Sequence, residues 1–289
     1  FNEGCTLAVC TLRDAIMAAN MDADPDTINL GAGTYILSFG GPGEDDAADG
    51  DLDITAPLTI KGVNAETTII DAAGIDRVFD LFGSAVQVTF EDVTIRGGDS
   101  LGDGGGINNR GAFLILQDVI IEGNIASGAG GGVDNDTGTT MQLEDSIVTD
   151  NKSGANGGGI SMAGATSVMT ITNSMITHNL ADGTFNSGGG IANDGLAYIA
   201  DTVVSTNTNI AVLTTRAGGG IANSGTMTII SSDVMSNSSN FSGGGIAHNG
   251  SGSIWIEDST IAQNKSKGNI QGGGGVTIGG TATIVHSDI

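Results

Sequence analysis

Residues 188–209 read GGGIANDGLAYIADTVVSTNTN, and residues 218–239 read GGGIANSGTMTIISSDVMSNSS. The two stretches match in the spacing of glycine, aliphatic and asparagine positions, so each is one copy of a repeat. Working outward, a glycine triplet followed by Ile or Val occurs seven times, with the aliphatic residue at Ile107, Val133, Ile160, Ile191, Ile221, Ile246 and Val276, at intervals of 25 to 31 residues. Alternation after each triplet places Ile115, Leu143, Ile171, Ile199, Ile229, Ile256 and Ile284 in a second column. A third runs Ile121, Val148, Ile176, Val204, Val234, Ile261 and Ile289. Three short apolar runs per repeat, none long enough for a helix, predict three strands per coil. One coil cannot bury its apolar residues alone, whereas coils stacked ~4.8 Å apart align like side chains into continuous ladders. The expected fold is an all-β, right-handed parallel β-helix.

The third strand ends at Asn124, Asn151, Asn179, Asn207, Asn237 or Asn264, where asparagine can take a left-handed conformation and bond its side chain along the stack. The first-strand positions after the aliphatic residue (Asn108, Asp134, Ser161, Ala192, Ala222, Ala247, Thr277) read as an outward row too inert for a catalytic groove. The segment 27–98 lacks the triplet but keeps short β-rich runs at Thr27–Leu30, Thr34–Leu37, Leu52–Ile60, Thr67–Ile70, Val78–Phe82 and Val86–Ile95, which read as irregular first coils. In Thr11–Asn20 (TLRDAIMAAN), Leu12, Ala15, Ile16 and Ala19 share one helical face. A short α-helix there would cap the open end of the first coil. The resulting division is 1–26 for the cysteine loop and capping helix, 27–98 for the irregular coils, and 99–289 for the regular ones. Phe1 stands close to the cysteine loop and Ile289 falls in mid-repeat, so both ends read as cuts in a longer solenoid.

The chain has 289 residues, 49 of them glycine, and only 4% aromatic residues, which favours narrow layered packing of aliphatic side chains. Its net charge of -24 repels phosphate backbones and anionic lipid surfaces, so nucleic acid is not an expected partner. No apolar run approaches the ~20 residues of a membrane span. Cys5 and Cys10, the only cysteines, are spaced to close a small disulfide loop in an oxidising compartment, with two reduced thiols as the alternative.

The densest acidic run is Glu44, Asp45, Asp46, Asp49, Asp51 and Asp53. An oxygen-rich loop of this kind can fold round a structural Ca²⁺, for which Asp46, Asp49, Asp51 and Asp53 are the expected ligands. A solvated acidic loop and catalytic carboxylates are the alternatives. The outward column of the second strand reads Leu114, Gln142, Thr170, Tyr198, Thr228, Trp255 and Thr283. Its two aromatics, several coils apart, are candidates for contact with a glycan or a partner. Loop lengths vary most after the asparagine column, and Phe185, Leu213, Arg216 and Phe241 form a second candidate contact along that edge. His178, His248 and His286 occupy non-equivalent positions and read as surface or turn residues. Arg77, Arg96 and Arg110 read as ion partners for the abundant acids.

The opening CTLRDAIMAAN (Cys10–Asn20), with GDLDI at 50–54, LTIKG at 58–62, DRVF at 76–79 and the GGGI repeats, resembles the CSLREA-type bacterial surface β-helix proteins, with GGGI repeats like those of polymorphic outer-membrane proteins. The resemblance implies a secreted or cell-surface location and a fold that hosts adhesins, structural proteins and some polysaccharide-processing enzymes. A non-enzymatic structural or adhesive surface protein is the first expectation, with other copies of itself or cell-surface polysaccharide as partners. A glycan-binding module, or a polysaccharide lyase or hydrolase, is the alternative.

Overall fold

The computed structural model describes residues 10–38, 40–41, 47–183, 187–211, 217–268 and 273–289. The chain winds as a parallel β-helix, and every strand pairs with its equivalent one coil away. Within a coil, the strand following the glycine triplet belongs to sheet 1 (nine strands, Leu52–Ile54 through Val276–Ile278). The next belongs to sheet 2 (ten strands, Asp26–Asn29 through Thr281–Val285), and the third to sheet 3 (nine strands, Gly33–Ile36 through Thr260–Ala262). To these three expected ladders the structure adds sheet 4, seven two-residue strands from Asp99–Ser100 to Lys265–Ser266.

Register holds from coil to coil: Ile160 pairs with Ile191 and then Ile221, and Ile171 with Ile199 and then Ile229. These residues, with Ile176 and Val204, are buried in one continuous core. Ile115 departs from the second column. It pairs with Gln142 and faces outward, while Leu116 pairs with Leu143 and points inward with Leu114. In FLILQ every candidate position is apolar, so alternation alone cannot set the phase, and the neighbouring strand decides it. At the last described coil Ile284 and Ile289 are exposed. The runs Leu52–Ile60 and Val86–Ile95 each contain two strands, separated by Thr55–Pro57 in the first and by Asp92 (φ 57°) and Val93 in the second.

The asparagine column is internal, and its corner is turned one residue earlier. Gly123, Asp150, His178, Thr206, Ser236 and Gln263 carry the positive φ. Each asparagine instead bridges coils: Asn151 Oδ1 accepts from both the backbone N and Nδ2 of Asn124 (3.0 Å each), and Asn124 Nδ2 also donates to the Ile95 carbonyl (3.1 Å). The pattern continues through Asn179, Asn207, Asn237 and Asn264. The buried amides of this column are thereby bonded, which offsets the cost of placing them inside the solenoid. A second stack links Asn109 to Asn135, and Asn193 to Asn223 to His248, whose ring is fully buried. His248 is therefore a core residue and not a surface histidine. A hydroxyl ladder (Ser146, Ser174, Thr202, Ser232, Ser259) bonds backbone amides across the corner between sheets 2 and 3.

The first-strand row is covered, not outward to solvent: Asn108, Asp134, Ser161, Ala192, Ala222 and Ala247 are all buried. Backbone of the glycine segment lies against it. A Cβ on Gly104 (φ 64°) would fall 2.6 Å from the Asn108 Cα, and one on Gly105 would fall 2.5 Å from the Gly131 carbonyl oxygen of the next coil. Glycine is required there by space as much as by conformation.

The helix α1 (Leu12–Ala19) opens on a capping box between Thr11 and Asp14 and buries Leu12, Ile16 and Ala19 against the first coil. Asn20 docks it edge-on: Nδ2 donates to the Asp53 carbonyl (2.8 Å) and Oδ1 accepts from Thr55 N (2.9 Å), as a neighbouring strand would. Among the described residues no helix is long and apolar enough to cross a membrane.

Candidate functional site

Sheet 1 begins with Leu52–Ile54, whose middle residue, Asp53, registers on Asp80 of the next coil. That register gathers Asp51, Asp53 and Asp80, all buried, so that one oxygen of each lies within 4.8 Å of the others. By distance this triad could hold a metal ion, and two of its members, Asp51 and Asp53, are expected ligands from the acidic run. Asp80 was missed because it lies far along the sequence and joins only through coil stacking. Asp49 is exposed on the same loop. Asp46 lies outside the described residues.

The triad already has cations. Arg77 Nη1 donates to Asp51 Oδ2 (3.0 Å) and Asp80 Oδ2 (2.5 Å), and Arg110 Nη2 lies 2.7 Å from Asp80 Oδ2 while its guanidinium sits over the Phe82 ring. Arg13 of α1 donates to the carbonyls of Ala47, Asp49, Gly50 and Asp51, stitching the capping helix to the acidic loop. Its hydrogen bonds go to these backbone carbonyls. Asp53 Oδ2 accepts from Ala47 N (2.7 Å). Burial, aided by the charge of Asp53 and opposed by Arg77, pushes the Asp51 carboxyl up to about 7. Two guanidiniums and a raised carboxyl pKa together keep the cluster near neutrality, as a buried charge group must be. Because Arg77 Nη1 bonds two of the three carboxylates, an ion bound by those same oxygens must displace it.

Farther along sheet 1, Asp134 is 5% exposed and its Oδ1 has no hydrogen-bond partner. Burial, with the nearby Asp103 and Asp136 charges, holds its carboxyl up at about 7 against the opposing Ser161 hydrogen bond. On sheet 3, Asp71, Arg96 and Glu122 succeed one another in register as an ion-paired row beside a shallow cavity of about 260 Å³.

The outward face of sheet 2 has a different character. Its central column runs Ile115, Gln142, Thr170, Tyr198, Thr228, Trp255, Thr283. Tyr198 and Trp255 are each 41% exposed and stand two coils apart with Thr228 between them, about 10 Å along the solenoid. Trp255 Nε1 donates to Glu257 Oε2 (3.0 Å), which fixes the indole on the sheet. Phe241 is exposed on the loop after sheet 4, away from this face. Phe185, Leu213 and Arg216 lie outside the described residues. Cys10 is disulfide-bonded, and Cys5 lies outside the described residues.

No protein-family model matches the chain, and no curated protein matches it. Among solved structures, the A-module of Azotobacter vinelandii mannuronan C-5 epimerase AlgE6 is similar at 15% identity and a TM-score of 0.37, over 95% of this chain and 96% of that one. At that level of likeness the neighbour's activity carries no argument about this chain.

Proposed function

We propose that this chain is a non-enzymatic part of a bacterial cell-surface protein of the CSLREA type, in which the β-helix acts as a rigid scaffold presenting an adhesive face. The observation that carries the reading is the outward face of sheet 2. Among its outward positions from Phe113 to Val285 only Glu144 and Glu257 are charged, in a chain of net charge -24, and Tyr198 and Trp255 project from it. Exposed aromatic and hydroxyl-bearing surface on a rigid support is a contact surface. The resemblance of Cys10–Asn20 and of the GGGI repeats to surface proteins supports the extracellular location.

Association of copies into a layer or filament is a weaker form of the same reading, because two chains of this charge repel at low salt. A structural calcium ion belongs to it only as a competitor of Arg77 at Asp51, Asp53 and Asp80. The test has three parts. Antibody labelling of intact source cells is expected to be positive. Beads coated with the protein should retain the cells' exopolysaccharide, and beads coated with a Tyr198→Ala, Trp255→Ala double variant should not. Release of reducing ends or unsaturated uronates from that polysaccharide would overturn the non-enzymatic reading in favour of a lyase or hydrolase.

A further inference from the structure

From the spacing and charge of the sheet 2 face we infer that its ligand is a neutral, extended polysaccharide lying along the solenoid axis, with sugar rings stacked on Tyr198 and Trp255. Three observations select this occupant. First, the strands Val168–Thr172, Leu196–Ala200 and Thr226–Ile230 carry no charge at any position, while the whole chain carries -24. A polyanion approaching this molecule is repelled and a neutral polymer is not. Second, the aromatics occupy one column in register, two coils and about 10 Å apart, so they contact points along a line and not a single compact ligand. An extended glycan of the β-1,4 type presents a ring face on that scale once per disaccharide step. Third, the column between and beyond them is threonine (Thr170, Thr228, Thr283), which supplies hydroxyl donors and acceptors to sugar hydroxyls without a charge. Glu257 bonds the indole nitrogen and so fixes the ring before any ligand arrives, which lowers the ordering cost of binding.

The inference deepens the adhesive reading by naming a ligand class, and the two fail separately: a protein found on intact cells that binds no neutral glycan would sink only the present inference. Trp255 is the chain's only tryptophan, so intrinsic fluorescence reports the site directly. The whole chain is titrated with cellohexaose, xylohexaose, mannohexaose and chitin hexamer, with the matching dimers, and with hexagalacturonate. At least one neutral hexamer is expected to give a saturable fluorescence change, its dimer at least tenfold weaker because it cannot span both rings, and hexagalacturonate none. Tyr198→Ala, which leaves the reporter in place, should weaken the hexamer about tenfold at an unchanged melting temperature. The idea is overturned by silence from all four neutral hexamers, by equal response to hexagalacturonate, or by an unchanged affinity in Tyr198→Ala. A protein-concentration-dependent fluorescence change without sugar would also overturn it, by showing that a second copy covers the face.

Discussion

At the scale of single residues, the charges that matter are the buried ones. In the Asp51, Asp53 and Asp80 cluster the chain supplies its own cation, Arg77, between two carboxylates. Removing one partner of such a group is costly, roughly 3–5 kcal/mol, because the other charges stay buried. Arg77→Met is therefore expected to lower the melting temperature by many degrees, and millimolar calcium should restore part of the loss by occupying the vacated triad. The wild type should melt identically in EDTA and in calcium. A chelator-sensitive wild type would show instead that an ion, and not Arg77, neutralises the cluster. Asp134 makes a separate prediction. Its carboxyl is held at about 7 in the fold against 3.8 when free, so its protonated form is the one the fold tolerates. Its contribution is complete below pH 3.8 and is lost as pH rises through 7, by up to about 4 kcal/mol. Asp134→Asn should gain stability over the wild type at pH 8 and little at pH 4, measured by urea unfolding; equal gains at both would refute the buried, raised carboxyl. Sequence reading found Asp51 and Asp53 as candidate ligands and Arg77 as an ion partner for the acids, but neither Asp80 nor the burial of Asp134, because coil stacking alone brings Asp80 to the cluster and covers Asp134.

At the scale of elements, the aliphatic and asparagine columns were legible because the repeat prints the same residue types at the same offsets. Where the repeat loses contrast, legibility goes with it. In FLILQ all four leading residues are apolar, and the phase slips by one at Ile115. The triplet itself was legible as a motif, but the layer it forms over the first-strand row was not. Only in three dimensions does its backbone lie over Asn108 and its equivalents, converting an expected open row into a covered layer. His248 escaped for a related reason. It ends the IAH at 246–248, in register with the IAN at 221–223 and, before that, the IAN at 191–193, so it follows two asparagines in its column, yet a lone histidine carries no sign of burial. That column can be tested. His248→Asn would continue the Asn193–Asn223 stack and should be nearly neutral, whereas His248→Leu leaves Asn223 without its ring partner and should cost about 1–3 kcal/mol in unfolding experiments. Equal effects of the two would mean that the ring fills space and does not satisfy a hydrogen bond.

At the scale of the whole molecule, stability is a sum over coils and their contacts with nearest neighbours, since each strand pairs only with its equivalents one coil away. The residues 188–217 make one such unit, running from one glycine triplet to the residue before the next. In its absence Ile160 would meet Ile221, Ile171 would meet Ile229, and Ile176 would meet Val234, each in the register that already joins them through Ile191, Ile199 and Val204. Asn179 would likewise bond Asn237 in place of Asn207. Deleting 188–217 should thus give a shorter solenoid that keeps its β-type circular dichroism and melts within a few degrees of the parent, with a urea m-value reduced in proportion to the lost surface. Deleting only 188–202 removes that coil's strands in sheets 1 and 2 but leaves its third strand, Val203–Ser205, between its partners in sheet 3, so sheet 3 keeps one layer more than sheets 1 and 2, the stack falls out of step, and cooperative folding should be abolished. If the full-coil deletion unfolds while other single-coil deletions survive, the coil carrying Tyr198 is a structural keystone and the one-dimensional account of the fold fails.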